Sequence, residues 1–248
     1  MIKMKKLLSL AVAFVFFAVS TSLATNASAF LNENEKPVVY ERQYEYATEV
    51  EDLLDLATPD SVEYSTQQGT DLANAEVTQL ISTKTLADGT IQKEYASSKI
   101  ALVDAERSSI ETTPVNTNDS KYWGKYDIAV TVTAYYTAYL QEIYEGYYIV
   151  LRKQLHYTTC VINDANALPV YVSKLEMSSH GIYDPLNEPN IERFMTINNP
   201  TSGYVYRLNS DDSRIYDGTG MQYLYSGAVI TLSDGTVSGN YDLMVILY

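Results

Sequence analysis

Between residues 127 and 162 apolar and polar side chains alternate with a period of two, and this rhythm decides the class of fold open to the chain. Ile128, Val130, Val132 and Ala134 interleave with Asp127, Ala129, Thr131 and Thr133. Successive side chains of a strand point to opposite faces, so the first set makes an apolar face and the second a more polar one. A turn is expected at Glu145-Gly146. The following run, 147–162, would place Ile149, Leu151, Leu155, Tyr157 and Val161 on one face and Arg152, Gln154, His156, Thr158 and Cys160 on the other. At least one of these two faces should be wet or weakly buried, which is the mark of antiparallel rather than parallel sheet.

The same alternation and its punctuation recur along the chain. Runs 77–86 and 91–103 flank Ala87-Asp88-Gly89-Thr90, and runs 222–232 and 241–248 flank Ser233-Asp234-Gly235-Thr236. Asp-Gly between strand-like runs is a strong hairpin signal. Shorter strands are expected at 170–177, 193–197 and 204–208. The expected fold is all-β: an antiparallel β-sandwich of roughly eight to ten strands over residues 76–248, with a barrel as the alternative.

Residues 30–75 differ. They are rich in Glu and Asp, and Tyr40, Tyr44, Ala47, Val50, Leu54 and Ala57 recur three or four apart. That spacing predicts an amphipathic helix over 40–57, stopped by Thr58-Pro59-Asp60. The segment reads as a short acidic N-terminal helix and linker packed on the sandwich, or alternatively as a pro-segment removed after export.

Residues 1–29 read as a secretory signal peptide. Lys3, Lys5 and Lys6 precede an apolar run over 7–19, and Ala27-Ser28-Ala29 supplies small residues for cleavage before Phe30. The run falls short of the roughly 20 residues that span a bilayer core. No Cys stands at the cleavage site to carry a lipid, and no second apolar span follows, so release outside the cell without a stable membrane anchor is expected.

The chain carries 31 Asp and Glu against 17 Lys and Arg, a formal net charge of −14, and losing the signal lysines makes it more acidic. The basic residues are scattered, so phosphate backbones and anionic lipid are unfavourable partners. One cysteine cannot form an internal disulfide, so stability must come from the apolar core.

Chemistry-bearing patterns are sparse. His156 and Cys160 stand about 13 Å apart if they lie on one regular strand at roughly 3.3 Å per residue, too far for a base to reach its nucleophile. His180 remains a second candidate base. Asn209, Asp211, Asp212, Asp217 and Gly218 offer oxygen ligands on a Gly-containing loop, which suits calcium. Their order does not match the helix–loop–helix calcium pattern, and an ordinary polar turn explains them better. No other cofactor is expected.

Tyrosine is the distinctive feature: 23 of them, against five Phe and one Trp. Tyr135, Tyr136, Tyr139, Tyr144, Tyr147 and Tyr148 cluster around the turn at Glu145-Gly146, with Trp123 shortly before. Tyr and Trp rings give contact area at little entropic cost and dominate recognition surfaces, although the same rings can simply pair across strands. The sequence therefore points to a secreted, non-enzymatic β-sandwich that binds an extracellular glycan, peptide or protein through this hairpin. The alternatives are a pore-forming or membrane-active β protein using residues 126–162, and a carboxylate-dependent hydrolase.

Overall fold

A computed structural model of the chain describes residues 37–57, 63–67, 70–104, 126–167, 170–181, 191–210, 216–217, 224–235 and 238–247. The expected signal peptide, Trp123, Asp211, Asp212 and Gly218 lie outside the described residues. The compact unit begins at Val38. In chain order its elements are β1 (Val38–Gln43), α1 (Val50–Leu56), β2 (Glu63–Gln67), β3 (Thr70–Leu86), β4 (Ile91–Asp104), β5 (Ile128–Tyr144), β6 (Tyr147–Asn163), β7 (Tyr171–Gly181), β8 (Ile191–Asn198), β9 (Val205–Asn209), β10 (Tyr216–Asp217), β11 (Leu224–Ser233) and β12 (Ser238–Leu247).

The all-β class is as expected, and the strands form two antiparallel sheets. The larger sheet is built on four long strands in the order β3-β4-β5-β6, each of 14 or 17 residues. Short strands line its two sides: β1 and β2 pair with opposite ends of β3, and β9 and β10 pair with β6. The smaller sheet has the order β12-β11-β7-β8. The count exceeds the eight to ten expected because β1, β2 and the two-residue β10 come from segments without a clear alternation.

Both Asp-Gly turns stand where the sequence puts them. Gly89 and Gly235 have φ of +84° and +90°, a left-handed region that costs glycine nothing. The Asp88 carboxylate accepts from the Thr90 N–H (3.0 Å), and the Ser233 hydroxyl accepts from the Gly235 N–H (3.1 Å).

The main core lies between the sheets. Val103, Ile128, Val130, Val132 and Ile162 of the larger sheet meet Val172, Leu175, Met177, Ile230 and Leu243 of the smaller one. A buried hydrogen bond between the hydroxyls of Thr158 and Ser226 ties the sheets together, and Ser226 also donates to the Ser178 carbonyl.

A second core corrects two expectations. The helix predicted over 40–57 is confined to Val50–Leu56, and Val38–Gln43 is instead an exposed edge strand on β3. Between them the chain crosses the outer face of the larger sheet as a strap. The Gln79 side chain pairs with it like a backbone unit, accepting from the Ala47 N–H and donating to the Ala47 carbonyl (2.8 and 3.0 Å). Helix α1 then buries Val50, Leu53 and Leu54 against Ala75, Val77, Ile100, Leu102 and Ala129. A seven-residue helix is too short to hold itself together in water, so packing maintains it. Consequently the outer face of β5 is dry over this stretch: Ala129, Thr131 and Thr133 are all buried. The expected boundary at residues 75 and 76 also falls inside β3.

Candidate functional site

The hairpin β5–β6 carries the tyrosine cluster, and its register sorts the six rings into two groups. Regular alternation across β6 is interrupted by β-bulges. Tyr135 pairs with Tyr157 but Tyr136 pairs with Leu155, leaving His156 as the extra residue, and further register shifts follow at Tyr139/Leu140 and Glu142/Tyr144. Each bulge reverses the parity of the strand. Leu155 therefore faces the inter-sheet core, and beyond the bulge so do Thr158, Cys160 and Ile162, while Tyr157 lies on the outer face. The uninterrupted two-face division expected for 147–162 does not hold.

Tyr135, Tyr136 and Tyr139 belong to the body of the sheet. Tyr135 stacks on Tyr157 (centroids 4.4 Å apart) and meets the edge of Tyr46 in the strap. The Arg207 guanidinium lies 3.6 Å over the Tyr157 ring, completing a layered column on the outer face. Burial, with help from Tyr46 and Tyr157, pushes the Tyr135 hydroxyl up to about 12. Tyr136 stacks on Tyr95 (5.3 Å) under the Lys153 ammonium, and the Tyr139 hydroxyl donates to Gln154 (3.2 Å). Tyr136 and Tyr139 are each only 8% exposed.

Tyr144, Tyr147 and Tyr148 are different. The partner strand β4 reaches β5 only as far as Leu140, opposite Ile91, and β10 meets β6 at Arg152 and Lys153. Residues 141–150 continue as a two-stranded ribbon with no further strand beside them among the described residues. Its turn is closed by the Glu142 carboxylate, which accepts from the Gly146 N–H at 2.7 Å. Here Ile143, Tyr144 and Tyr147 are 63%, 69% and 68% exposed, and Tyr148 and Val150 are also open to solvent. Ile143 and Val150 were not among the expected contact residues. They belong with the site because the register leaves them bare.

A polar row crosses the outer face beside this hairpin. The Ser82 hydroxyl and the Lys84 ammonium donate to the two oxygens of Glu94 (2.7 and 3.2 Å), and Lys84 also approaches Glu41 (3.7 Å). Partial burial raises the Glu94 carboxyl, but Ser82 and Lys84 outweigh it and leave the group below its usual range. His156 is hydrogen-bonded through Nε2 to the Thr137 hydroxyl at 2.6 Å. Burial lowers the imidazole, and nearby Glu94 offsets this only in part. A histidine lowered on folding is protonated first in the unfolded chain, so its burial penalises the fold as pH falls below about 6.5. His156→Gln, which keeps a hydrogen-bonding side chain, should therefore show a smaller loss of melting temperature between about pH 7 and 5 than the wild type. Glu94 adds a separate loss below about pH 4.5, as its paired carboxylate is protonated.

The remaining candidates do not converge. Cys160 sits in the inter-sheet core, and burial pushes its thiol up to about 12, so no thiolate is available at neutral pH. His156 lies on the opposite face of the sheet with Thr137, which separates the pair more firmly than the expected spacing along one strand. His180, the other candidate base, is held in the smaller sheet by Glu192 (Nδ1 to Oε1, 2.9 Å) and stacks on Tyr225. Of the oxygen-ligand cluster, Asn209 accepts from the Arg207 guanidinium and the backbone of Asp217 pairs opposite Arg152. No group of three or more metal-ligating side chains occurs among the described residues, and no helix among them is long and apolar enough to cross a membrane. No family model, curated protein or solved structure matches the chain.

Proposed function

We propose that the protein is a secreted, non-enzymatic binding module whose contact is the tip of the β5–β6 hairpin. The observation that carries this reading is the group Ile143, Tyr144, Tyr147, Tyr148 and Val150, exposed together on a ribbon that outruns the sheet. A hairpin of two strands alone is marginal in water, and large apolar side chains gathered at its end favour contact with a partner over solvent. The export signal read from residues 1–29 supports an extracellular partner. The buried, protonated Cys160 and its separation from His156 support a role without covalent chemistry.

Peripheral contact is favoured over pore formation. β5 is hydrogen-bonded on one side to β4 over 128–140 and on the other to β6, and its inner face supplies the core, so withdrawing the hairpin would dismantle the fold. A membrane-spanning strand also needs unbroken alternation between lipid and lumen, which three register shifts interrupt.

Tyr144→Ser with Tyr147→Ser should weaken binding to the extracellular partner, screened across immobilised glycans, peptides, proteins and lipid vesicles, by about tenfold or more. Circular dichroism should stay close to wild type and stability should fall by no more than about 1 kcal/mol, because the two rings meet each other across the ribbon end (centroids 6.3 Å apart) and neither belongs to the main core. Binding that survives the double substitution would refute the assignment.

A further inference from the structure

Resting on the tip as the contact, we infer that its partner is a zwitterionic lipid surface, into which the ribbon end inserts as a shallow wedge. The shape of the tip is the first reason. From Leu140 opposite Val150 to Tyr144 opposite Tyr147 the ribbon runs about four residues beyond β4, roughly 13 Å at 3.3 Å per residue. That length exceeds the roughly 5–10 Å to which interfacial elements sink between headgroups and acyl chains, so the tip can enter a bilayer surface while β4 stays clear of it.

Convexity is the second. A sugar or peptide site is concave and surrounds its ligand, and a stable protein interface covers about 800 Å² on each partner. A two-residue turn bearing a handful of side chains is a projection and supplies neither. A bilayer closes around a projection without shape complementarity, whereas a protein partner would have to offer a pocket built to receive the tip. The side chains fit that depth: Ile143 is apolar throughout, while the tyrosines combine an apolar ring with a hydroxyl that stays among the headgroups.

Charge selects the lipid. No Lys or Arg lies between Lys125 and Arg152, the turn itself carries Glu142 and Glu145, and the chain is strongly acidic. Anionic headgroups repel such a tip. Phosphatidylcholine instead presents an outermost quaternary ammonium, which aromatic faces and carboxylates attract.

The test is flotation of the full chain with phosphatidylcholine vesicles. The wild type should float with them, adding phosphatidylglycerol should weaken the association, and about 0.5 M salt should leave binding to pure phosphatidylcholine largely intact. Ile143→Ser with Tyr147→Ser should lower the bound fraction about tenfold, whereas Val39→Ser, at an exposed apolar site on β1, should not change it. Failure of the wild type to float, tighter binding to phosphatidylglycerol, or equal flotation of the tip variant would overturn the lipid assignment. Binding to a glycan or protein array that disappears in the same tip variant would keep the tip as contact while removing lipid as its partner. If no binding of any kind responds to the tip variant, both readings fall.

Discussion

Leu53→Ala is expected to destabilise the folded protein by about 2–5 kcal/mol, read as a lower urea midpoint with an unchanged slope. Leu53 is 1% exposed and is enclosed by Val50 and Leu54 of α1 and by residues of β3, β4 and β5. Little else holds the helix: its N-cap, Glu49, makes no side-chain capping hydrogen bond, and the Tyr126 hydroxyl donates to Glu51 at its exposed first turn (3.1 Å). A domain of ordinary stability has about 5–15 kcal/mol in total, so the loss would be a large share. The same contacts bear on residues 30–75 as a removable pro-segment. Their removal would take away β1, α1 and β2 and uncover Ile100, Leu102 and Ala129. N-terminal sequencing of the protein as its host produces it should accordingly find the strap retained. A change below about 0.5 kcal/mol in Leu53→Ala would show that the outer layer contributes little.

Gly227→Ala should cost about 1–3 kcal/mol, although it adds one methyl group on an outer face. A Cβ built at Gly227 would stand 2.7 Å from the Leu243 carbonyl oxygen and 3.1 Å from the Met244 Cα. Both are backbone atoms of β12, so no rotamer change relieves the clash and the two strands must move apart. Leu243 and Val245 of β12 contribute to the main core, which spreads the cost beyond the site. Chemical denaturation measures the effect, and a stability equal to wild type would show that β11 and β12 separate freely.

Much of this architecture was legible because its signals are local. Asp88-Gly89 and Asp234-Gly235 fix two hairpins through their own dihedral preferences, and the alternation over 128–134 needs no knowledge of its neighbours. The departures depend on distant partners. Leu155-His156-Tyr157 has no composition that marks a bulge, yet the one extra residue reverses which side chains meet the core. Thr131 and Thr133 read as the more polar face, yet they are buried because the strap and α1, far away in sequence, come to lie on that side of the sheet. The three-to-four spacing over 40–57 is real only where α1 finds a surface; the β-branched Val38-Val39 at its start take the open edge of β3 instead. The tyrosine cluster was visible as a cluster. Its division into packed and exposed rings was not, because that depends on β4 beginning at Ile91 opposite Leu140.

The outer layer also imposes a timetable on synthesis. Val50, Leu53 and Leu54 leave the ribosome well before Ile100, Leu102 and Ala129, the surface they need. At roughly 5–20 residues per second, the wait between Leu53 and Ala129 is roughly 4–15 s. Throughout that interval three apolar side chains lack the surface they pack on, so α1 stays unformed and open to proteases until the rest of the chain arrives.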